Sequence, residues 1–257
     1  MKNIFCKFLI LILGTLCSEA NAQTPYPETE FNWRPPANFP ETFDINTSTT
    51  PYPGYTQPPL LNHIFYNPSL FFAPNHVPFT HDILLYIRVH EHGHAILKTL
   101  DESTCDCFSA SQIAITDPMS IPEIENFFIN NFGNQQIDVL HGSGTAIAQN
   151  INSCANRSRI TNNIAQKIIA NDYAGAFSLV GPFAPAQIQP ASIQSAWEMV
   201  LNSDGQVIST KVPAVVLKQE NRLYSSGYVL CIMADGKHRE IEVDFDPDSH
   251  VIGLLIL

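Results

Sequence analysis

Apolar positions along the chain change period twice, and each change marks a different class of element. Ile64-Phe65-Tyr66 is a short apolar run stopped by Asn67-Pro68, which predicts a strand. From His81 to Leu100 the positions Ile83, Ile87, His90, His94 and Leu97 recur at helical spacing and predict one long helix. A second helix is expected from Asp101 to about Ile115. A third opens at Ile121-Pro122-Glu123 and runs through Phe127 and Phe128 to Gly133. The loop His141-Gly142-Ser143-Gly144 then leads into a helix from about Thr145 to Asn156. Beyond about Ile160 the texture differs. Helices are expected at Ile164 to Phe177 and at Ser192 to Asn202, the latter around Trp197. After Ser203-Asp204-Gly205 the pattern turns to strands at Val207 to Val216, Tyr224 to Ala234, Glu240 to Asp246 and Val251 to Ile256, with Asp235-Gly236 as a hairpin turn. Helices followed by an antiparallel sheet define an α+β chain. The boundary is expected near Arg159, with a mostly helical domain over 60–159 and a smaller α+β domain over 160–257.

The first residues carry a different signal. Lys2 and Lys7 precede an apolar run, Phe8 to Leu16, that is too short to span a bilayer, and Ala20-Asn21-Ala22 has the form of a cleavage site. Residues 1–22 therefore read as a signal peptide, with the mature chain starting at Gln23 in the periplasm or outside the cell. Residues 23–59, with Pro35-Pro36 and Pro51-Tyr52-Pro53, have neither helical nor strand period and read as an extended arm. No later apolar run is long enough for a membrane span. The formal net charge of −11, with no basic stripe, excludes a nucleic-acid partner. Export also places Cys105, Cys107, Cys154 and Cys231 in an oxidising compartment, where one or two disulfides are possible. Cys231, inside the apolar run Tyr228-Val229-Leu230-Cys231-Ile232, is expected as a buried free thiol.

Candidate chemistry sits in the long helix. His90-Glu91-His92-Gly93-His94 is an H-E-x-x-H motif. His90 and His94 project from one helical face and can hold one zinc ion, while Glu91 lies beside a metal-bound water as general base. His92 is off that face. A catalytic site needs a third protein ligand. The metzincin spacing would place it at Leu100, so that pattern fails, and a carboxylate on the following helix is left. Glu102 is preferred over Asp117, which looks like a turn residue before Pro118, and over Glu123, a helix-start acid after Pro122. Asp106, one turn beyond Glu102, is placed to accept the N–H of a ligand histidine. His141, in its glycine-rich loop, is a candidate hydrogen-bond donor to the oxyanion of a tetrahedral intermediate.

The segment from His90 to Ala110 resembles gluzincin peptidases, whose second motif reads E-x-x-A-D followed by an aromatic residue. It is more similar still to small exported bacterial proteins of metallopeptidase type. Their A-D-C-W segment, His-Pro-Gly-like loop and I-x-x-C helix end correspond to Cys105-Asp106-Cys107-Phe108, His141-Gly142-Ser143-Gly144 and Ile151-Asn152-Ser153-Cys154. Ile64-Phe65-Tyr66-Asn67 resembles their edge strand. Cys105 departs from the family's alanine. The resemblance covers about Asn62 to Asn156 and implies zinc, peptide hydrolysis and a Cys107–Cys154 disulfide. From about Asn162 to Leu257 the chain resembles a bacterial domain similar to nuclear transport factor 2, through Trp197-Glu198, Asp204-Gly205, Val243-Asp244-Phe245-Asp246 and Ile252-Gly253-Leu254. That implies a cone-shaped α+β fold serving as a binding or homodimerisation module. Asp244, Asp246 and Asp248 lack the spacing and closing Glu of a calcium loop. The expected activity is a zinc-dependent peptidase acting on protein or peptide substrates. The rival expectation is a non-enzymatic exported binding protein with a structural or decayed zinc site, its ligand carried by the C-terminal domain.

Overall fold

The computed structural model describes residues 43–46, 54–56, 63–67, 80–137, 141–219 and 223–257. The expected signal peptide lies outside these residues. The chain divides into two compact units at Leu100/Asp101.

In the first unit, β1 (Phe43–Asn46), β2 (Gly54–Tyr55) and β3 (His63–Tyr66) form a sheet in the order β1-β3-β2. β1 runs parallel to β3 and β2 antiparallel to it. Two segments of the proline-rich arm are thus strands. Phe43-Asp44-Ile45-Asn46 does alternate apolar and polar, but four residues are too short a stretch to stand out among prolines. β3 is the middle strand, not the expected edge, because β1 and β2 flank it. The Tyr55 and Phe65 rings stack at 4.9 Å across the β2–β3 pair. Helix α1 (His81–Leu97) follows, with Asp82 in its first turn complementing the helix dipole. Lys98 ends it in the left-handed conformation, at φ 53° and ψ 43°.

The second unit contains α2 (Glu102–Thr116), α3 (Ser120–Asn131), α4 (Gly144–Ile169), α5 (Tyr173–Val180), α6 (Pro190–Asp204) and the strands β4 (Val207–Thr210), β5 (Ala214–Gln219), β6 (Leu223–Met233), β7 (His238–Phe245) and β8 (Val251–Ile256). The sheet is antiparallel throughout. Its order is β4-β6-β7-β8, and β5 pairs with the N-terminal half of the long β6. The α+β class holds.

Two helices expected separately, at 145–156 and 164–177, differ from what is found. α4 runs without a break through Arg159, so the expected domain boundary falls inside a helix, and the break comes at Asn171 (φ 61°). Asp172 then caps α5 by accepting from Gly175 N at 2.9 Å. The strand expected over 207–216 is two, because Lys211-Val212-Pro213 interrupts the ladder and proline has no N–H to donate.

The core of the sheet gathers Ile164, Ile168, Ile193, Trp197, Val229, Met233, Val243 and Phe245, so helices α4 and α6 both bury one face on it. α4 crosses β6 at Gly227, where an added Cβ would lie 2.1 Å from Thr161 Oγ1, a contact only glycine permits. Asp204, at the end of α6, fastens the β6–β7 hairpin through Arg239 and through Lys237 Nζ at 2.6 Å. Hydrogen bonds from Arg239, Lys237 and Ser203 hold its carboxyl well below the usual carboxylate range.

Candidate metal centre

The histidine pair is built by α1 alone. His90, Glu91 and His94 are all buried on this helix, as are Arg88 and His92. With four residues between them, the His90 and His94 rings meet edge to face at 4.9 Å, and their Nε2 atoms approach to 3.2 Å. His94 Nδ1 lies 2.9 Å from the backbone carbonyl of Thr99. A carbonyl only accepts, so Nδ1 carries the proton, and the lone pair of a neutral His94 ring sits on Nε2, toward His90. The left-handed turn at Lys98 brings Thr99 back to this position. Glu91 Oε2 accepts from Thr56 Oγ1 at 3.3 Å, just after β2.

In the second unit, α2 and α4 lie side by side and run parallel. Three rungs, each one helical turn beyond the last, tie them: Asn150 Nδ2 to Ser103 O at 2.9 Å, the Cys107–Cys154 disulfide, and Ser158 Oγ to Ser111 O at 2.8 Å. Parallel helices bring their N-termini together. Glu102 opens α2 and His141 stands just before the Ser143 cap of α4, and His141 Nε2 meets Glu102 Oε2 at 3.1 Å. Two positive helix ends favour the Glu102 carboxylate. The close start of α4 against α3 depends on Gly144, whose added Cβ would lie 2.2 Å from Phe128 O. Asp101 caps α2, accepting from Thr104 N at 2.9 Å.

Each expected site residue has a definite place. His90, Glu91 and His94 gather in one unit, and Glu102 and His141 in the other. Asp106 is buried one turn along α2 from Glu102. For His94, however, the acceptor is Thr99 O and not Asp106. His141, expected to face an oxyanion, is paired with Glu102. The alternatives to Glu102 have other surroundings: Asp117 accepts from Ser120 Oγ at 2.9 Å in the turn after α2, and Glu123 is exposed on α3. The Cys107–Cys154 disulfide is present, and Cys105 and Cys231 are buried thiols. Thr99 and Thr56 went unrecognised in sequence. A backbone carbonyl leaves no side-chain signal, and Thr56 belonged to an arm with no visible period.

The donor set suits zinc. Imidazole nitrogens and a carboxylate are its usual ligands, and a histidine oriented by a backbone carbonyl is its usual support. No helix among the described residues is long and apolar enough to cross a membrane. No known protein family, curated protein or solved structure matches the chain.

Proposed function

We propose that this chain is an exported zinc-dependent peptidase, similar to the gluzincins, in which His90, His94 and Glu102 hold the ion and Glu91 is the general base. The observation that carries this is the His94 ring: its Nδ1 is committed to Thr99 O, so its Nε2 lone pair converges with His90 Nε2 at 3.2 Å. Zinc bound there would polarise a scissile carbonyl and lower the pKa of a water to about 7. Glu91, held by the Thr56 hydroxyl, takes the proton and later delivers it to the leaving amine. His141 orients the Glu102 carboxylate by donating to it. The sheet unit after about residue 160, with helices on its apolar face, fits a cone similar to nuclear transport factor 2 and serves as a binding or homodimerisation module. The substrate is a protein or peptide in the periplasm or the medium.

The Glu102–His141 contact favours a second reading. If His141 itself binds the ion, four protein donors fill a tetrahedral shell and leave no position for water, which is the composition of a structural site in a non-enzymatic binding protein. Elemental analysis and casein cleavage by wild type and His141→Gln separate the two. The peptidase reading expects about one zinc per chain, casein cleavage by wild type, and a His141→Gln variant that keeps its zinc. Loss of zinc from His141→Gln, with no cleavage by wild type, selects the structural site. A chain that binds no zinc removes both.

A further inference from the structure

Arg157 lies on α4 and is buried, with 6% of the residue exposed. Its Nε donates to Ser249 Oγ at 3.0 Å, and its Nη2 to the carbonyls of Asp246 and Pro247 at 3.3 and 3.0 Å. All three acceptors are neutral. No carboxylate among the described residues forms an ion pair with this guanidinium, and its Nη1 makes no hydrogen bond among them. Asp246 is turned to His250, accepting from its backbone N at 2.8 Å and lying 2.9 Å from its Nδ1. Burial holds the Arg157 pKa below the usual arginine value, with the charge of Asp246 acting in the other direction. An arginine side chain does not escape this cost by losing its proton, so a buried one calls for an anion.

A cavity of about 290 Å³ opens beside it, bounded by Gln149, Asn150, Ser153 and Arg157 of α4, Leu217 of β5, Ser225 of β6, and Asp246-Pro247 of the turn before β8. At its wall Ser225 is 1% exposed, and its hydroxyl has no hydrogen-bond partner among the described residues. A buried hydroxyl left unpaired is costly, and a ligand that reaches it recovers the cost. We propose that this cavity binds a small amphipathic monocarboxylate, its carboxylate on Arg157 Nη1 and the Ser225 hydroxyl and its apolar part against Leu217 and Pro247. One positive charge with Asp246 on the same wall suits a single negative charge and opposes a phosphate dianion. The volume is at the lower end for ligand sites, which limits the occupant to a small molecule or the last residue or two of a peptide. The site is independent of the zinc reading, since none of its residues is proposed as a metal ligand.

Calorimetric titration of the full mature chain tests this with two probe pairs: hippurate against hippuramide, and trialanine against trialanine amide. The acid is expected to bind in the millimolar range or tighter, and its amide about tenfold or more weaker. Equal binding of both acids identifies a peptide C-terminus as sufficient, and binding of hippurate alone identifies a free small acid. Arg157→Gln removes the cation but also loosens the turn before β8. Ser153→Leu therefore provides a second variant, filling the cavity without touching the Arg157 hydrogen bonds, and it should lose binding with its melting temperature retained. Ser225→Ala should bind about tenfold more weakly and melt no lower than wild type. His90→Ala should bind as wild type does, which separates this site from a carboxylate on the metal. No binding of either acid at about 10 mM, amides that bind as well as acids, binding that survives Ser153→Leu, or binding that is lost in His90→Ala overturns the proposal.

Discussion

Single residues show how burial decides chemistry in this chain. Burial pushes the Cys231 thiol up from 9.0 to about 11, because the thiolate loses its hydration in the sheet core. The folded chain therefore keeps its proton where the unfolded chain gives it up. The stability that results is fully present below pH 9 and is lost as pH rises from 9 toward 11. Urea unfolding midpoints at pH 8 and pH 10.5 are expected to differ more in wild type than in Cys231→Ala, and thiol reagents at pH 8 should leave folded Cys231 unmodified. Equal pH dependence in the two chains would contradict this. Cys231 was readable in sequence because an apolar strand run has no other way to accommodate it. The orientation of His94 was not, since its partner is the Thr99 carbonyl, which any residue at that position would present. His141 was visible as a histidine beside glycines, but its partner was not, because Glu102 lies 39 residues away in the chain and meets it only through helix packing.

At the scale of elements, the parallel pair α2 and α4 positions one half of the proposed site. The three rungs at Ser103, Cys107 and Ser111 repeat every turn, so loosening one shifts the N-termini where Glu102 and His141 meet. The disulfide closes a loop with a sequence separation of 47, which by chain entropy stabilises the fold by about 4 kcal/mol. The double variant Cys107→Ala/Cys154→Ala is expected to lose about that much in denaturant unfolding, and to lose zinc more readily to a chelator. A loss below about 1 kcal/mol would show that the other rungs hold the pair without it. Periodicity located α1, α2 and α3 well because each has a clear apolar face or a clear stop. It divided α4 in two because the polar stretch Asn156-Arg157-Ser158-Arg159 interrupts the apolar spacing. There Arg157 and Ser158 are in fact buried and hydrogen-bonded across to other elements. It overlooked β1 and β2 because their pairing partner is a separate strand and not a local pattern.

Across the whole molecule, the compact division at Leu100/Asp101 and the expected one near Arg159 lead to different fragments. Among the described residues, the sheet core draws on those from Ile160 onward, which is why the change of texture was legible there. Yet Gln112 of α2 donates to Pro213 O at 2.6 Å, and Arg157 holds the turn before β8, so the helices before residue 160 also brace the sheet. A fragment of residues 101–257 is expected to melt in one cooperative transition. A fragment of residues 162–257 should melt at a clearly lower temperature, and equal melting would place the true boundary near Arg159. Whether the two histidines and the carboxylates serve peptide hydrolysis is decided by Glu91→Gln. The variant keeps the shape of the side chain and removes the base. Measured side by side for bound zinc and for casein cleavage, Glu91→Gln should hold the same zinc as wild type while its rate falls by a factor of about 10² to 10⁴. Equal cleavage rates in the two chains at equal zinc content would rule out Glu91 as the base of a zinc peptidase.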